Sequence, residues 1–144
     1  MIDAEKLSKT EASKINAVTL AFLGDAVYAL YVRDKLVRSH SGKPGELQKT
    51  ASNVLSARGQ SEFLDKVLPL FSEDEEEVYR RGRNAKKATK SKNADAVEYA
   101  RSTGLEAVLG YLYLAGDEAR IAYLLEHIGE GKLRGQAVPT PYKP

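Results

Sequence analysis

Residues 20–28 read Leu20-Ala-Phe-Leu-Gly-Asp-Ala-Val-Tyr28, an apolar run around a single carboxylate. Outward from this run, apolar residues crowd Val18 to Val32 on nearly every helical face, and Asn16 stands where a side chain can cap a first turn. The pattern predicts a helix from Asn16 to Arg38, and a helix so apolar is expected at the centre of its fold. An unpaired carboxylate in such a place is costly or stays protonated, so Asp25 needs a partner. Glu106 repeats the situation in Gly104-Leu-Glu-Ala-Val-Leu-Gly-Tyr-Leu-Tyr113. Both acids have small neighbours: Gly24 and Ala26 beside the first, Ala107 and Gly110 beside or one turn beyond the second. Small residues let helix axes approach, so the simplest packing brings the two carboxylates together. Two converging carboxylates without histidine or cysteine form an all-oxygen site that suits Mg²⁺, or Mn²⁺ in its place, and hydrolysis of a phosphodiester is the chemistry such an ion serves. A structural reading, in which each acid is paired with a cation or hydrogen-bonded, stays open at this point.

Composition narrows the alternatives. The chain has 144 residues, 42% of them hydrophobic, which suits one compact domain with a real core. There is no cysteine, and the two histidines, His40 and His127, stand far apart and read as surface residues, so a thiol nucleophile or a zinc site is not expected. No secretory signal is read at the N-terminus and the long apolar runs carry a charge near their middle, so the expectation is a cytoplasmic protein away from the membrane. Neither a Gly-x-Ser-x-Gly elbow nor a P-loop is present, and Gly129-Glu-Gly-Lys-Leu-Arg-Gly135 lacks the strand a dinucleotide site requires. The net charge of +2 conceals an uneven distribution: Glu73-Asp-Glu-Glu-Glu77 is followed by Arg80, Arg81, Arg83, Lys86, Lys87, Lys90 and Lys92 with no acid among them.

The rest of the chain also reads as helix, without repeats or strands. Ser39 to Gly45 is expected as a turn. Leu47, Ala51, Val54 and Leu55, then Phe63, Leu64, Val67 and Leu68, follow as one or two amphipathic helices, with Gly59 as the break if there are two. Ser72 and Glu75 have capping-box spacing, with the acidic run in the first turn and arginines in the last. Ala85 to Asn93 reads as an exposed loop, and Asn93 can cap a helix through Leu114 that ends near Gly116. Asp117 starts a last helix with Ile121, Leu124, Leu125 and Ile128 on one face. The expected organisation is one all-α helical bundle over residues 1 to 130 and a disordered tail over residues 131 to 144.

Three stretches together carry a family resemblance. Phe22-Leu-Gly-Asp-Ala-Val-Tyr28 resembles the signature helix of ribonuclease III catalytic domains, and Leu105-Glu-Ala-Val-Leu-Gly-Tyr-Leu-Tyr-Leu114 resembles their second catalytic helix, in the family's order and at a compatible separation. With Arg80-Arg-Gly-Arg-Asn-Ala-Lys86 between them and no further domain expected after them, the chain resembles the short branch of the family, the mini-ribonucleases III, over roughly Asn16 to Ile128. The resemblance implies the ribonuclease III endonuclease fold and a homodimer that cleaves double-stranded RNA with Mg²⁺, leaving short 3′ overhangs. It further implies maturation of both ends of the 23S ribosomal RNA precursor, with the assembling large ribosomal subunit as a further partner. Carried over by position, Asp25 and Glu106 are the catalytic, metal-binding acids. Full-length relatives have an acid one turn before each, where this chain has Ala21 and Thr103. That implies a sparse site completed by water and RNA oxygens. A rival reading is a double-stranded-RNA-binding relative without catalysis, although such proteins usually lose the signature acids too.

A-form RNA presents phosphates and 2′-hydroxyls across a wide, shallow groove, where recognition is mainly of shape and charge. Arg81, Arg83, Lys86, Lys87 and Lys90 are therefore the expected RNA-binding residues. Two-fold pairing would set two sites on opposite strands of one duplex. Phe22, Tyr28, Tyr31, Tyr111 and Tyr113 are candidates for that interface, against the simpler expectation that aromatics on apolar helices are core.

Overall fold

The structure is a computed structural model that describes residues 4–39, 43–85 and 94–128. All regular structure among the described residues is helical: α1 (Lys9–Ser13), α2 (Ala17–Ser39), α3 (Pro44–Leu55), α4 (Ala57–Val67), a 3-10 turn (Leu68–Leu70), α5 (Glu73–Ala85), α6 (Ala94–Leu114) and α7 (Glu118–Leu125). The expected all-α bundle is what forms. His40, Lys86, Lys87, Lys90, Lys92, Asn93 and the expected tail over residues 131 to 144 lie outside the described residues.

Local chemistry sets most helix ends. The Asn16 Oδ1 accepts from the amides of Val18 (2.8 Å) and Thr19 (3.3 Å), which starts α2 where its cap predicts. The Ser72 and Glu75 box forms: the Glu75 amide donates to Ser72 Oγ at 3.2 Å and the Ser72 amide donates to Glu75 Oε1 at 2.9 Å. Gly116, at φ 72°, ends α6, and the Asp117 carboxylate caps α7 through the Arg120 amide. Gly59 is not the α3–α4 break. The chain turns at Ser56, whose Oγ accepts from the Gly59 amide, and Gly59 lies buried in the first turn of α4. Of the turn expected over Ser39 to Gly45, Ser39 is the last residue of α2 and Pro44 and Gly45 are the first two of α3.

The central element is α6, not α2. Helices α1, α2, α4, α5 and α7 all pack against α6, whose Leu105, Ala107, Val108, Leu109, Tyr111 and Leu112 are buried. One face of α2 buries Leu20, Val27, Tyr28, Val32 and Leu36, while Phe22 is 85% exposed and Leu30 and Val37 are also exposed. Apolar residues on every face of α2 predict full burial, but periodicity reports which faces are apolar and not which are covered. Of the aromatics considered for an interface, Tyr28 and Tyr111 are core, Tyr31 and Tyr113 are half-buried, and Phe22 stands out. His127 is half-buried rather than at the surface, with Nδ1 2.9 Å from the Tyr123 carbonyl oxygen and its ring edge-on to Tyr123.

A buried ion pair ties the last helix to α5. Glu75 accepts from Arg120 Nε and Nη2, both at 2.9 Å, and Arg120 Nη2 also donates to the Leu70 carbonyl at 2.7 Å. The carboxylate that completes the α5 cap thus also anchors α7.

Candidate active site

Helices α2 and α6 cross at near backbone contact, and glycine makes that possible. A methyl group at Gly24 would lie 1.7 Å from the Glu106 carbonyl oxygen, and one at Gly110 would lie 2.0 Å from the Leu20 carbonyl oxygen. No residue with a Cβ fits at either point without parting the helices. Asp25 follows Gly24 on α2 and Glu106 sits opposite on α6, so this close crossing brings their carboxyl groups within hydrogen-bonding reach. The convergence expected from small neighbours is realised.

The two acids differ in surroundings. Asp25 is exposed, so the expectation that it is buried does not hold; the acid lies on the face of α2 that the chain itself leaves open. Glu106 is half-buried, and its carboxyl is pushed up to about 8, first by burial and then by the contact with Asp25. A hydrogen bond from Gln60 Nε2 to Glu106 Oε2, at 3.2 Å, acts in the opposite direction by favouring the ionised form.

Both acids line a cleft of about 710 Å³ together with Phe22, Gln60, Tyr99 and Thr103. The Thr103 hydroxyl donates to the Tyr99 carbonyl at 3.0 Å, and both Ala21 and Thr103 are buried. The positions one turn before the two acids therefore add no carboxylate. No group of three or more metal-ligating side chains occurs among the described residues. The donor set is two carboxylates, with the carbonyl oxygen of Gln60 buried nearby and without a hydrogen-bond partner. Such a set of oxygen donors, without histidine or cysteine, fits a hard divalent cation that keeps several of its waters.

The expected RNA-binding arginines part company. Arg83 is exposed and lies over the Tyr79 ring, 5.5 Å from its centroid. Arg81 is half-buried, and its guanidinium donates to the carbonyls of Ser13, the last residue of α1, and of Ile15 just past it. Its Nε is buried without a partner, so Arg81 holds α1 to α5 rather than facing solvent. Sequence reasoning also missed Gln60, which is 3% exposed. The signal was present: Gln60 is an amide in the stripe Gln60, Phe63, Leu64 and Val67, whose other members are apolar and buried.

Comparison with known proteins gives a consistent result. The Ribonuclease III domain family model matches residues 18–117, a span that includes Asp25, Gln60 and Glu106. Mini-ribonuclease 3 of Brevibacillus brevis is 44% identical over 111 residues, covering 77% of this chain and 83% of the relative. Mini-ribonuclease 3 of Streptococcus pneumoniae is 42% identical over 117 residues, covering 80% of this chain and 91% of the relative. The crystal structure of a protein from Fusobacterium nucleatum superimposes with a TM-score of 0.72 at 27% identity, over 83% of this chain and 96% of that one.

Proposed function

Because the chain belongs to the ribonuclease III family, in its mini-ribonuclease III branch, we propose that it is an endoribonuclease that hydrolyses double-stranded RNA with a divalent cation held by Asp25 and Glu106. The observation that carries the reading is the meeting of these two carboxylates across the glycine-lined crossing of α2 and α6. A Mg²⁺ or Mn²⁺ ion bound there would supply an activated water and offset charge developing on the phosphodiester.

The chain's own residues do the rest. Asp25 faces the open side of the cleft, where a phosphate of the duplex can approach. Glu106, tied to Gln60, supplies the second carboxylate from the interior side. With no acid at position 21 or 103, water and RNA oxygens complete the shell, and the site depends on its substrate more than a four-acid site does. Arg83, with Lys86, Lys87 and Lys90 beyond the described residues, supplies phosphate contacts; Arg81 is left out because its guanidinium already serves two carbonyls. The exposed Phe22, Leu30 and Val37 of α2 support a homodimer that sets two sites on one duplex. Maturation of the 23S ribosomal RNA precursor, on the assembling large subunit in the cytoplasm, is the role proposed for this activity. No described helix is long and apolar enough to cross a membrane.

Incubation with a blunt RNA duplex and Mg²⁺ tests the reading. The wild-type chain should cut it, and Asp25→Asn should bind the duplex as tightly while losing at least about a hundredfold in rate, since half of the cation's protein ligands are altered. Binding without cleavage by the wild type, in both Mg²⁺ and Mn²⁺ at low salt, would reduce the protein to a duplex-binding module.

A further inference from the structure

Gln60 stands in the cleft beside Glu106, and folding alone does not account for it. Its neighbours on the inner stripe of α4 are Phe63, Leu64 and Val67, and it is itself 3% exposed. Its Nε2 donates to the Leu55 carbonyl at 3.0 Å and to Glu106 Oε2 at 3.2 Å, so both amide protons are used. The opposite amide orientation would set Oε1 against the Leu55 carbonyl, two acceptors facing each other. In the orientation found, Oε1 is buried and accepts no hydrogen bond. A buried acceptor without a donor costs free energy, so Oε1 is the part of this side chain that folding leaves unexplained, while the bond to the Leu55 carbonyl serves the end of α3.

A two-carboxylate site gives that cost a purpose. Ala21 and Thr103 leave the acids without neighbouring carboxylates, and the Thr103 hydroxyl is turned to Tyr99. Among the described residues, Glu106 accepts a side-chain hydrogen bond from Gln60, and its carboxyl lies against that of Asp25. A cation that keeps its waters presents outward-facing O–H donors, which is what Oε1 lacks. We propose that Gln60 is a positioning residue of this site: its Nε2–H holds the Glu106 carboxylate facing Asp25, and its Oε1 accepts from a water on the bound divalent cation. The proposal rests on the reading that Asp25 and Glu106 hold that cation. It assigns Gln60 to the ion's hydration and not to the folding of α4.

The test uses Gln60→Met, of similar length and without amide atoms, with Gln60→Leu as a second variant should the first fail to fold. Mn²⁺ binding to the full chain is titrated by the paramagnetic resonance of free Mn²⁺, beside melting in EDTA, duplex binding in EDTA and cleavage against Mg²⁺ concentration. The expected result is Mn²⁺ affinity weaker by about tenfold or more, and a matching rise in the Mg²⁺ needed for cleavage. The melting point in EDTA should fall by no more than the loss of the single bond to the Leu55 carbonyl explains, and duplex binding should not change. Mn²⁺ affinity within about twofold of wild type in either folded variant overturns the proposal. So does a lower melting point in both variants whose folded fraction binds Mn²⁺ normally, since Gln60 is then structural. Asp25→Asn run in parallel separates the two readings: if it leaves Mn²⁺ binding intact, the two-carboxylate site itself fails, whereas if it abolishes binding and Gln60→Met does not, only the role of Gln60 fails.

Discussion

In Gly24→Ala the added methyl would stand 1.7 Å from the Glu106 carbonyl oxygen, 2.6 Å from its carbonyl carbon and 2.9 Å from the Gly110 amide nitrogen. All three obstacles are backbone, so no side chain can turn aside. The first distance must grow to at least 3.0 Å, and α2 and α6 have to part to allow it. Helix propensity favours alanine by about 1 kcal/mol. Overpacking costs typically about 1–3 kcal/mol, and a backbone obstacle belongs at or above the upper end of that range. The net loss is therefore about 2 kcal/mol or more, or roughly 6 °C in melting temperature for a chain of this size. The same displacement separates Asp25 from Glu106, and a misplacement of about 1 Å at reacting groups is worth about a hundredfold in rate. Thermal melting and duplex cleavage, each normalised to folded protein, read both effects. Gly45→Ala is the control, because nothing lies within 4 Å of its added methyl in the first turn of α3; it should be neutral or stabilising by up to about 1 kcal/mol. If Gly24→Ala melts and cleaves like wild type, the close crossing does not hold the site together.

Stability without metal should fall as pH rises from about 4.5 to about 8, because the folded chain keeps the Glu106 proton that the unfolded chain releases; Glu106→Gln should remove that slope and melt higher than wild type at pH 8.5. Equal slopes in the two proteins would contradict the contact with Asp25 and the burial of Glu106. Arg83→Ala should weaken duplex binding and lower its salt slope by about one, as expected when one phosphate is no longer neutralised by the protein. Arg81→Ala should instead lower the melting point with little change in salt slope, since it releases the carbonyls of Ser13 and Ile15; the reverse assignment of effects would show Arg81 to be the RNA contact. Phe22→Asp should shift sedimentation towards monomer at micromolar concentration without lowering the monomer's melting point, because an 85% exposed side chain contributes nothing to its own chain's core. An unchanged sedimentation coefficient would move the dimer interface elsewhere.

Much of this protein follows from local pattern. The caps at Asn16 and at Ser72 with Glu75 form with the expected donors, and α6 ends at Gly116 because that position takes a positive φ. The meeting of Asp25 with Glu106 was legible too, because Gly24 and Gly110 permit a crossing that larger residues forbid. What pattern did not supply was coverage. By sequence α2 is the more central helix, yet α6 is the one enclosed, and Asp25 lies on an open face while Glu106 is half-buried. The same gap hid the attachment of Arg81 to the end of α1, the second use of the Glu75 carboxylate by Arg120, and the reach of Gln60 to Glu106. Helix ends and apolar stripes depend on residues a few positions apart, and the chain alone determines them. The burial of a face and the partner of a polar group depend on which distant helix lies against it, and only the packed fold decides that.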